Sequence, residues 1–151
     1  MSKFRVKLGY APTRRDVFSK NDAWKHKESI KDKLKGWDIE LVDIEWLNDE
    51  GLLYDGADAD RVASRFKDEG VDAIFSPHCN FGTEDAVARL ANIMSKPILI
   101  WGPRDDAPLH DGSRTRDTQC GLFATSKILR RFGLPFTYIV NTTLEDPAFE
   151  R

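Results

Sequence analysis

The chain of 151 residues is long enough for one domain with an apolar core, and its composition, 40% hydrophobic and 32% charged, is ordinary for a globular protein. Its formal net charge of −2 gives no excess of positive charge, so the composition does not predict a nucleic-acid partner. No apolar run is long enough to cross a bilayer, and the first residues carry no secretory signal. Two cysteines are too few for a disulfide framework, which favours a reducing, cytoplasmic location.

Five short apolar runs, bounded by Gly and Pro, predict five buried strands. They are marked in chain order by Phe4, Val6 and Leu8; by Ile39, Leu41, Val42 and Ile44; by Ala73, Ile74 and Phe75; by residues 98–101; and by Phe136, Tyr138, Ile139 and Val140. Arg5 and Lys7 alternate with the apolar residues of the first strand. This strand therefore lies near an edge of the sheet, or these two side chains extend past its end.

Four helical patterns lie between the strands, each with one apolar face. The apolar positions are Ala23, Ile30 and Leu34; Ala59, Val62, Ala63 and Phe66; Val87, Leu90, Ala91 and Met94; and Cys120, Ala124, Ile128 and Phe132. The second and fourth patterns stop at Gly70 and Gly133, and the third stops before Pro97, as helices commonly end. The first pattern is rich in lysine, and we interpret that face as solvated.

Strands that alternate with helices predict an α/β domain over residues 1–141, with a three-layer, doubly wound, parallel five-stranded sheet. Right-handed crossovers leave few topologies, and we choose the flavodoxin-like order 2-1-3-4-5. This order places its switch point between strands 1 and 3, at their carboxyl ends, where ligands bind in such sheets.

Three polar loops fall on that carboxyl edge. The loop after strand 1 contains Thr13, Arg14, Arg15 and Asp16, and the loop after strand 3 runs from residue 77 to residue 83. The third loop, from residue 101 to residue 117, is dense in charges of both signs and contains three arginines and no lysine. Its planar guanidinium groups are suited to an oxygen-rich ligand, although they could equally pair with nearby aspartates or face a partner subunit.

Several common chemistries are not favoured by the motifs present. The turn after strand 1, residues 9–14, lacks the glycines of a dinucleotide site, and its few hydroxyls do not favour flavin phosphate. His78, Cys79, His110 and Cys120 stand singly, without the spacing of a zinc site; we interpret Cys120 as a buried helix thiol and Cys79 as a loop thiol. Asp105, Asp106 and Glu84 are candidate acid–base carboxylates, but ion pairing or helix capping explains them equally well.

A family resemblance rests on three segments. Residues 102–127, GPRDDAPL followed by DGSRTRDTQCGLFATSK, resemble the amino-terminal region of the L-fucose/L-arabinose isomerase family, the fucose-isomerase-like proteins. Residues 79–84 resemble the loop after strand 3 in that family, an aromatic-Gly-Ser/Thr-Glu pattern, and residues 97–102 resemble its next strand. The similarity covers nearly the whole chain.

The resemblance implies an aldose–ketose isomerase that uses a divalent metal, usually manganese, and passes a proton through an enediol. It places the metal ligands in later domains of a longer chain, so it assigns no catalytic or metal-binding residue here. It gives this domain substrate contacts, often to a neighbouring subunit of a homo-oligomer. The residues so assigned are Arg14, Arg15, His78, Cys79, Asn80 and Phe81. The better-known fucose isomerases carry an indole where this chain has Cys79, which leaves the preferred sugar open.

We therefore expect the isolated chain to lack isomerase activity and residues 142–151 to begin a linker toward later domains. The alternative is a stand-alone flavodoxin-like module that binds a small molecule such as a sugar, a phosphate or a flavin without chemistry.

Overall fold

The computed structural model describes residues 5–151 and contains a five-stranded parallel sheet in the order β2-β1-β3-β4-β5. The elements in chain order are β1 (Val6–Tyr10), α1 (Lys20–Lys35), β2 (Ile39–Val42), α2 (Gly56–Asp68), β3 (Ala73–Pro77), α3 (Glu84–Met94), β4 (Ile98–Gly102), α4 (Thr118–Arg131) and β5 (Thr137–Val140). The predicted fold class and strand order are confirmed. Phe4 lies outside the described residues.

Two separate apolar cores form on the two faces of the sheet. On one face, α2, α3 and α4 pack on inward residues of β3 and β4 such as Ile74 and Ile100. On the other face, α1 packs through Ala23, Ile30 and Leu34 on side chains that include Phe75 and Trp101. Alternation along each parallel strand supplies both cores, because successive side chains point to opposite faces.

Arg5 precedes β1, and Lys7 within the strand pairs with its register neighbour on β2 rather than extending past the strand end. The strand lies between β2 and β3, so it is not an edge strand. The Nζ atom of Lys7 lies 3.0 Å from Oε1 of Glu40 on β2, and the Nε atom of Arg5 lies 3.6 Å from Oδ1 of Asp38. The exposed amino-terminal half of the strand tolerates these charges, whereas Gly9 and Tyr10 at the other end are buried.

Two of the predicted helix faces are wrong in part. Lys27 of α1 is not solvated: it is 1% exposed, and its Nζ atom donates to both carboxylate oxygens of Glu45, at 3.0 and 2.9 Å. The buried face of α4 consists of Thr118, Gly121, Leu122, Thr125 and Leu129, while Phe132 is 66% exposed. Apolar periodicity missed this face because a glycine and two threonines form much of it.

The segment after β5 folds back onto the α1 face. Phe149 is 5% exposed, and its ring centroid lies 4.5 Å from that of Trp101 and 5.6 Å from that of Trp37. The Trp101 indole donates to Oγ1 of Thr142 at 2.8 Å. Residues 142–151 are therefore packed against the domain, and their expected role as the start of a linker is not tested by these contacts.

Candidate functional site

The loops after β1 and β3 are joined by hydrogen bonds at the carboxyl edge of the sheet. The backbone N–H of Thr13 donates to the carbonyl of Pro77, and that of Cys79 donates to the carbonyl of Thr13, both at 2.9 Å. The Thr13 hydroxyl accepts from the Thr83 N–H at 2.9 Å. The predicted meeting of these two loops at one edge is thus observed.

Asn80 fixes the two loops to each other. Its Oδ1 atom accepts from the backbone N–H groups of Arg15, at 2.8 Å, Phe81 and Gly82, and its Nδ2 atom donates to the Arg15 carbonyl at 3.1 Å. The side chain has no exposed surface. Its hydrogen-bonding capacity is used internally, so it positions the loop residues on either side of it.

Thr83 begins α3 in an unexpected way. It occupies the N-cap position, but its hydroxyl makes no capping bond. The hydroxyl instead donates to the backbone carbonyl of Arg14 at 2.7 Å. This bond is a further connection between the two loops, and it leaves the helix start to the acidic residues Glu84 and Asp85.

His78 lies in the domain interior. Its Nδ1 atom is 3.2 Å from the Trp101 carbonyl, and its Nε2 atom is 2.9 Å from Oγ1 of Thr125. These partners assign the tautomer in which Nδ1–H donates and Nε2 accepts from the threonine hydroxyl. Burial lowers the pKa of His78 to about 4, so the ring is neutral near pH 7.

Cys79 lies in the loop after β3, as expected, whereas Cys120, expected to be buried, is exposed. Cys79 is fully buried, and burial raises the pKa of its thiol. Cys120 is exposed on the first turn of α4, where a hydrogen bond with Asp117 raises the pKa of its thiol. The buried face of α4 includes Gly121 and Leu122, so the preceding residue, Cys120, lies on the exposed side of the helix.

The neighbouring arginines have different environments. Arg14 is 1% exposed, pairs with Glu50 and with Asp16 at 2.6 Å, and lies over the Tyr54 ring at 3.8 Å from its centroid. Its charge is therefore matched inside the domain. The Arg15 side chain is about a third exposed, at 32%.

We call the accessible group around Arg15 the rim; it consists of Arg15, Phe18, Phe81 and Glu84. The Arg15 guanidinium pairs with Glu84 and lies 4.6 Å from the centroid of the Phe81 ring. Phe18 stacks on Phe81 with centroids 5.6 Å apart and an interplanar angle of 11°. Phe18 was not selected from the sequence, because nothing local to it predicts contact with a residue more than sixty positions away.

The six predicted substrate-binding residues thus divide by exposure. Arg15 and Phe81 have accessible surface, whereas Arg14, His78, Cys79 and Asn80 are buried beneath them. Binding itself remains a prediction for all six.

The third polar loop lies between β4 and α4 and spans residues 103–117. A buried arginine holds this 103–117 loop to the domain. Arg116 is 5% exposed; its Nη2 atom lies 2.7 Å from Asp106, its Nη1 atom 3.4 Å from Asp22 of α1, and its Nε atom 3.4 Å from Asp105. The candidate carboxylates Asp105 and Asp106 are therefore engaged in ion pairs, as Glu84 is with Arg15. Among residues 5–151, no group of three or more His, Cys, Asp or Glu side chains is arranged to hold a metal ion.

A family model described as the fucose/sulfoquinovose isomerase N-terminal domain matches residues 9–151. The chain belongs to this family. The matched region includes both joined loops, the rim and the whole 103–117 loop. No curated protein matches the chain significantly. Membership identifies a sugar isomerase domain and makes a sugar the expected small-molecule substrate.

Over residues 5–151, none of the helices combines the length and apolarity that a bilayer crossing requires.

Proposed function

We propose that this isomerase-family domain presents the rim to the sugar substrate of an aldose–ketose isomerase. The match of residues 9–151 to the family carries the proposal, and the hydrogen-bonded meeting of the two loops supports it. A guanidinium and a carboxylate offer donors and acceptors to sugar hydroxyl groups, and the paired phenyl rings offer an apolar surface to the C–H face of the sugar.

The buried members of the predicted set support this rim. Asn80 fixes the backbone on both sides of the rim, and Arg14 fills the space behind it with its charge matched by Glu50. Cys79 supplies no aromatic surface at the position where the better-known fucose isomerases carry an indole. We infer that the Phe18–Phe81 stack provides that surface in this chain.

The manganese expected of the family would be bound by residues outside this chain, in later domains. When bound, manganese increases the acidity of the substrate hydroxyl. We propose that the proton transfer also takes place in those later domains. We further propose that the enzyme is a cytoplasmic homo-oligomer in which the rim faces a neighbouring subunit's active site.

One assay tests whether catalysis requires the later domains. The 151-residue chain, supplied with Mn²⁺ and L-fucose or L-arabinose, is expected to show no aldose–ketose conversion. A protein in which this chain is followed by the later domains of the family is expected to convert at least one such sugar. Conversion by the 151-residue chain itself would refute the proposal.

A second assay tests the rim in that longer, active protein. Arg15→Gln is expected to lower kcat/KM by about 10- to 100-fold, the loss expected for a charge-assisted contact to substrate. Arg65→Gln is the matched control, because Arg65 lies on α2, outside the rim, and pairs with Glu69 at 2.7 Å. An Arg15→Gln enzyme with unchanged kcat/KM would remove the rim from the substrate site.

Subunit mixing tests the oligomer. Arg15→Gln subunits are combined with subunits inactivated in the later domains, and part of the activity is expected to return if the rim serves a neighbouring subunit. No recovery in mixed oligomers would place the rim at its own subunit's site.

A further inference from the structure

A polar cleft separate from the rim opens at the carboxyl edge of the sheet. It has a volume of about 460 Å³ and lies between the 103–117 loop, the first two turns of α4 and the residue that follows β5. Its main lining residues are Arg104, Arg114, Asp117, Gln119, Phe123 and Asn141. None of them belongs to the rim. The carboxyl ends of parallel strands are the usual location of ligand sites in such sheets.

Several side chains of this cleft have unused hydrogen-bonding capacity. Within residues 5–151, Arg114 and Gln119 make no side-chain hydrogen bond or ion pair, and Nδ2 of Asn141 has no hydrogen-bond acceptor. The Asn141 Oδ1 atom accepts from Nε of Arg104 at 3.3 Å, and this bond orients both planar groups. Asp117 stands at the N-cap of α4 without making a side-chain capping bond, and its carboxylate accepts a hydrogen bond from the Cys120 thiol at the edge of the cleft. Donors and acceptors therefore face the same space.

The charge of the cleft is balanced. Two guanidinium groups, of Arg104 and Arg114, are accompanied by two carboxylates, of Asp105 and Asp117. Asp105 is already engaged by the Thr118 N–H at 3.0 Å and by Arg116, and Arg104 lies 3.9 Å from Asp146, which leaves one charge of each sign, Arg114 and Asp117. A phosphate or sulfonate site needs an excess of positive charge, and this cleft lacks one.

An aromatic surface completes the cleft. Phe123 is 62% exposed on α4, although a phenylalanine on a helix of this kind is usually buried. An exposed ring beside planar donors and acceptors suits a ligand with an apolar C–H face and several hydroxyl groups, each able to donate and to accept.

We propose that this cleft binds a neutral polyhydroxylated molecule, a sugar or a sugar alcohol, at a second carbohydrate site separate from the rim. The inference deepens the proposed function and rests on it for the choice of ligand class. Phe123 would contact the C–H face of the sugar, while Arg114, Gln119 and Asn141 would bind its hydroxyl groups.

Two-dimensional amide NMR of the 151-residue chain tests the site, with L-fucose and L-arabinose as probes. We expect saturable shifts at residues 119–123 and 141. Phe123→Ala and Arg114→Gln are each expected to weaken this binding at least fivefold. Phe132→Ala and Arg130→Gln are the matched controls, because both residues are exposed on the same helix outside the cleft, and they are expected to leave the affinity unchanged.

Three results would overturn the inference: no saturable shift at the cleft, a cleft shift that Phe123→Ala and Arg114→Gln leave intact, or inorganic sulfate binding there more tightly than either sugar. The proposed function fails on different evidence, which is the kcat/KM of Arg15→Gln in the longer protein. Arg15→Gln in the 151-residue chain is expected to leave the cleft shifts unchanged.

Discussion

The backbone carbonyl of Phe81 occupies the space where a side chain on Gly121 would begin. A Cβ atom built on Gly121 would lie 1.6 Å from that oxygen and 2.6 Å from its carbon. This contact packs the first turn of α4 against the loop after β3. It therefore fixes the position of the Phe81 backbone in the rim.

Gly121→Ala is expected to destabilise the domain by about 3 kcal/mol, the upper part of the usual range for overpacking, because backbone atoms cannot rotate away. Urea unfolding measures the loss. Gly36→Ala is the matched control: its Cβ would lie at an ordinary 3.5 Å from the nearest atom, the Lys33 carbonyl, and its cost should be below about 1 kcal/mol. Equal losses in the two variants would show that α4 is not held against Phe81.

The Arg14–Arg15 pair is expected to separate stability from binding. Arg14→Gln removes a buried cation and leaves Glu50 without its partner, so it should cost about 2–4 kcal/mol of unfolding free energy. Arg15→Gln removes a partly exposed ion pair and should cost less than about 1 kcal/mol. Urea midpoints at pH 7 compare them, and a larger loss for Arg15→Gln would contradict the assigned environments.

His78 is expected to make stability depend on pH below neutrality. The unfolded chain takes up a proton near the ordinary pKa of 6.5, whereas the folded ring stays neutral down to a pKa of about 4. Stability is therefore complete above pH 6.5 and falls as the pH drops toward 4, by up to about 1.4 kcal/mol per pH unit.

Urea unfolding of His78→Gln across this interval is expected to show a shallower slope than the parent chain, whatever the absolute stability of the variant. His110→Gln is the control for replacing a histidine, because His110 is exposed on the 103–117 loop. Identical slopes in all three proteins would mean that His78 is protonated in the folded state.

The two thiols are expected to differ in reactivity. One equivalent of a thiol reagent should react with the folded chain, at Cys120, and two after unfolding. Because Asp117 raises the pKa of the Cys120 thiol, Asp117→Asn should speed alkylation at pH 7.5. Cys120→Ser should abolish labelling of the folded chain; residual labelling in that variant would show that Cys79 is accessible.

Phe149 is expected to stabilise the domain although it follows the last strand. Its ring packs between Trp101 and Trp37, so Phe149→Ala should cost about 3 kcal/mol of unfolding free energy. Tyr138→Ala, in an exposed part of β5, is a suitable comparison and should cost less. A neutral Phe149→Ala would show that the packing of this ring on the two indoles does not stabilise the domain.

The order and type of the elements were predictable because their signals are local. The alternation of Ile98, Ile100 and their neighbours, the helical spacing of Val62 and Phe66, and the stop at Gly133 each arise within one segment. Crossover handedness then left few sheet orders. The convergence of the loops containing Arg14 and Asn80 followed from that topology alone.

The burial of the polar side chains in those loops was decided only by tertiary structure. Arg14 is buried because Glu50 reaches it, and Arg15 remains accessible beside Glu84. Cys120 is exposed rather than buried because Gly121 and Thr125 are the residues of α4 that contact Phe81 and His78. A local pattern reports how apolar a segment is, but burial of a charge or an amide depends on partners distant in sequence, which only the folded chain brings within hydrogen-bonding distance.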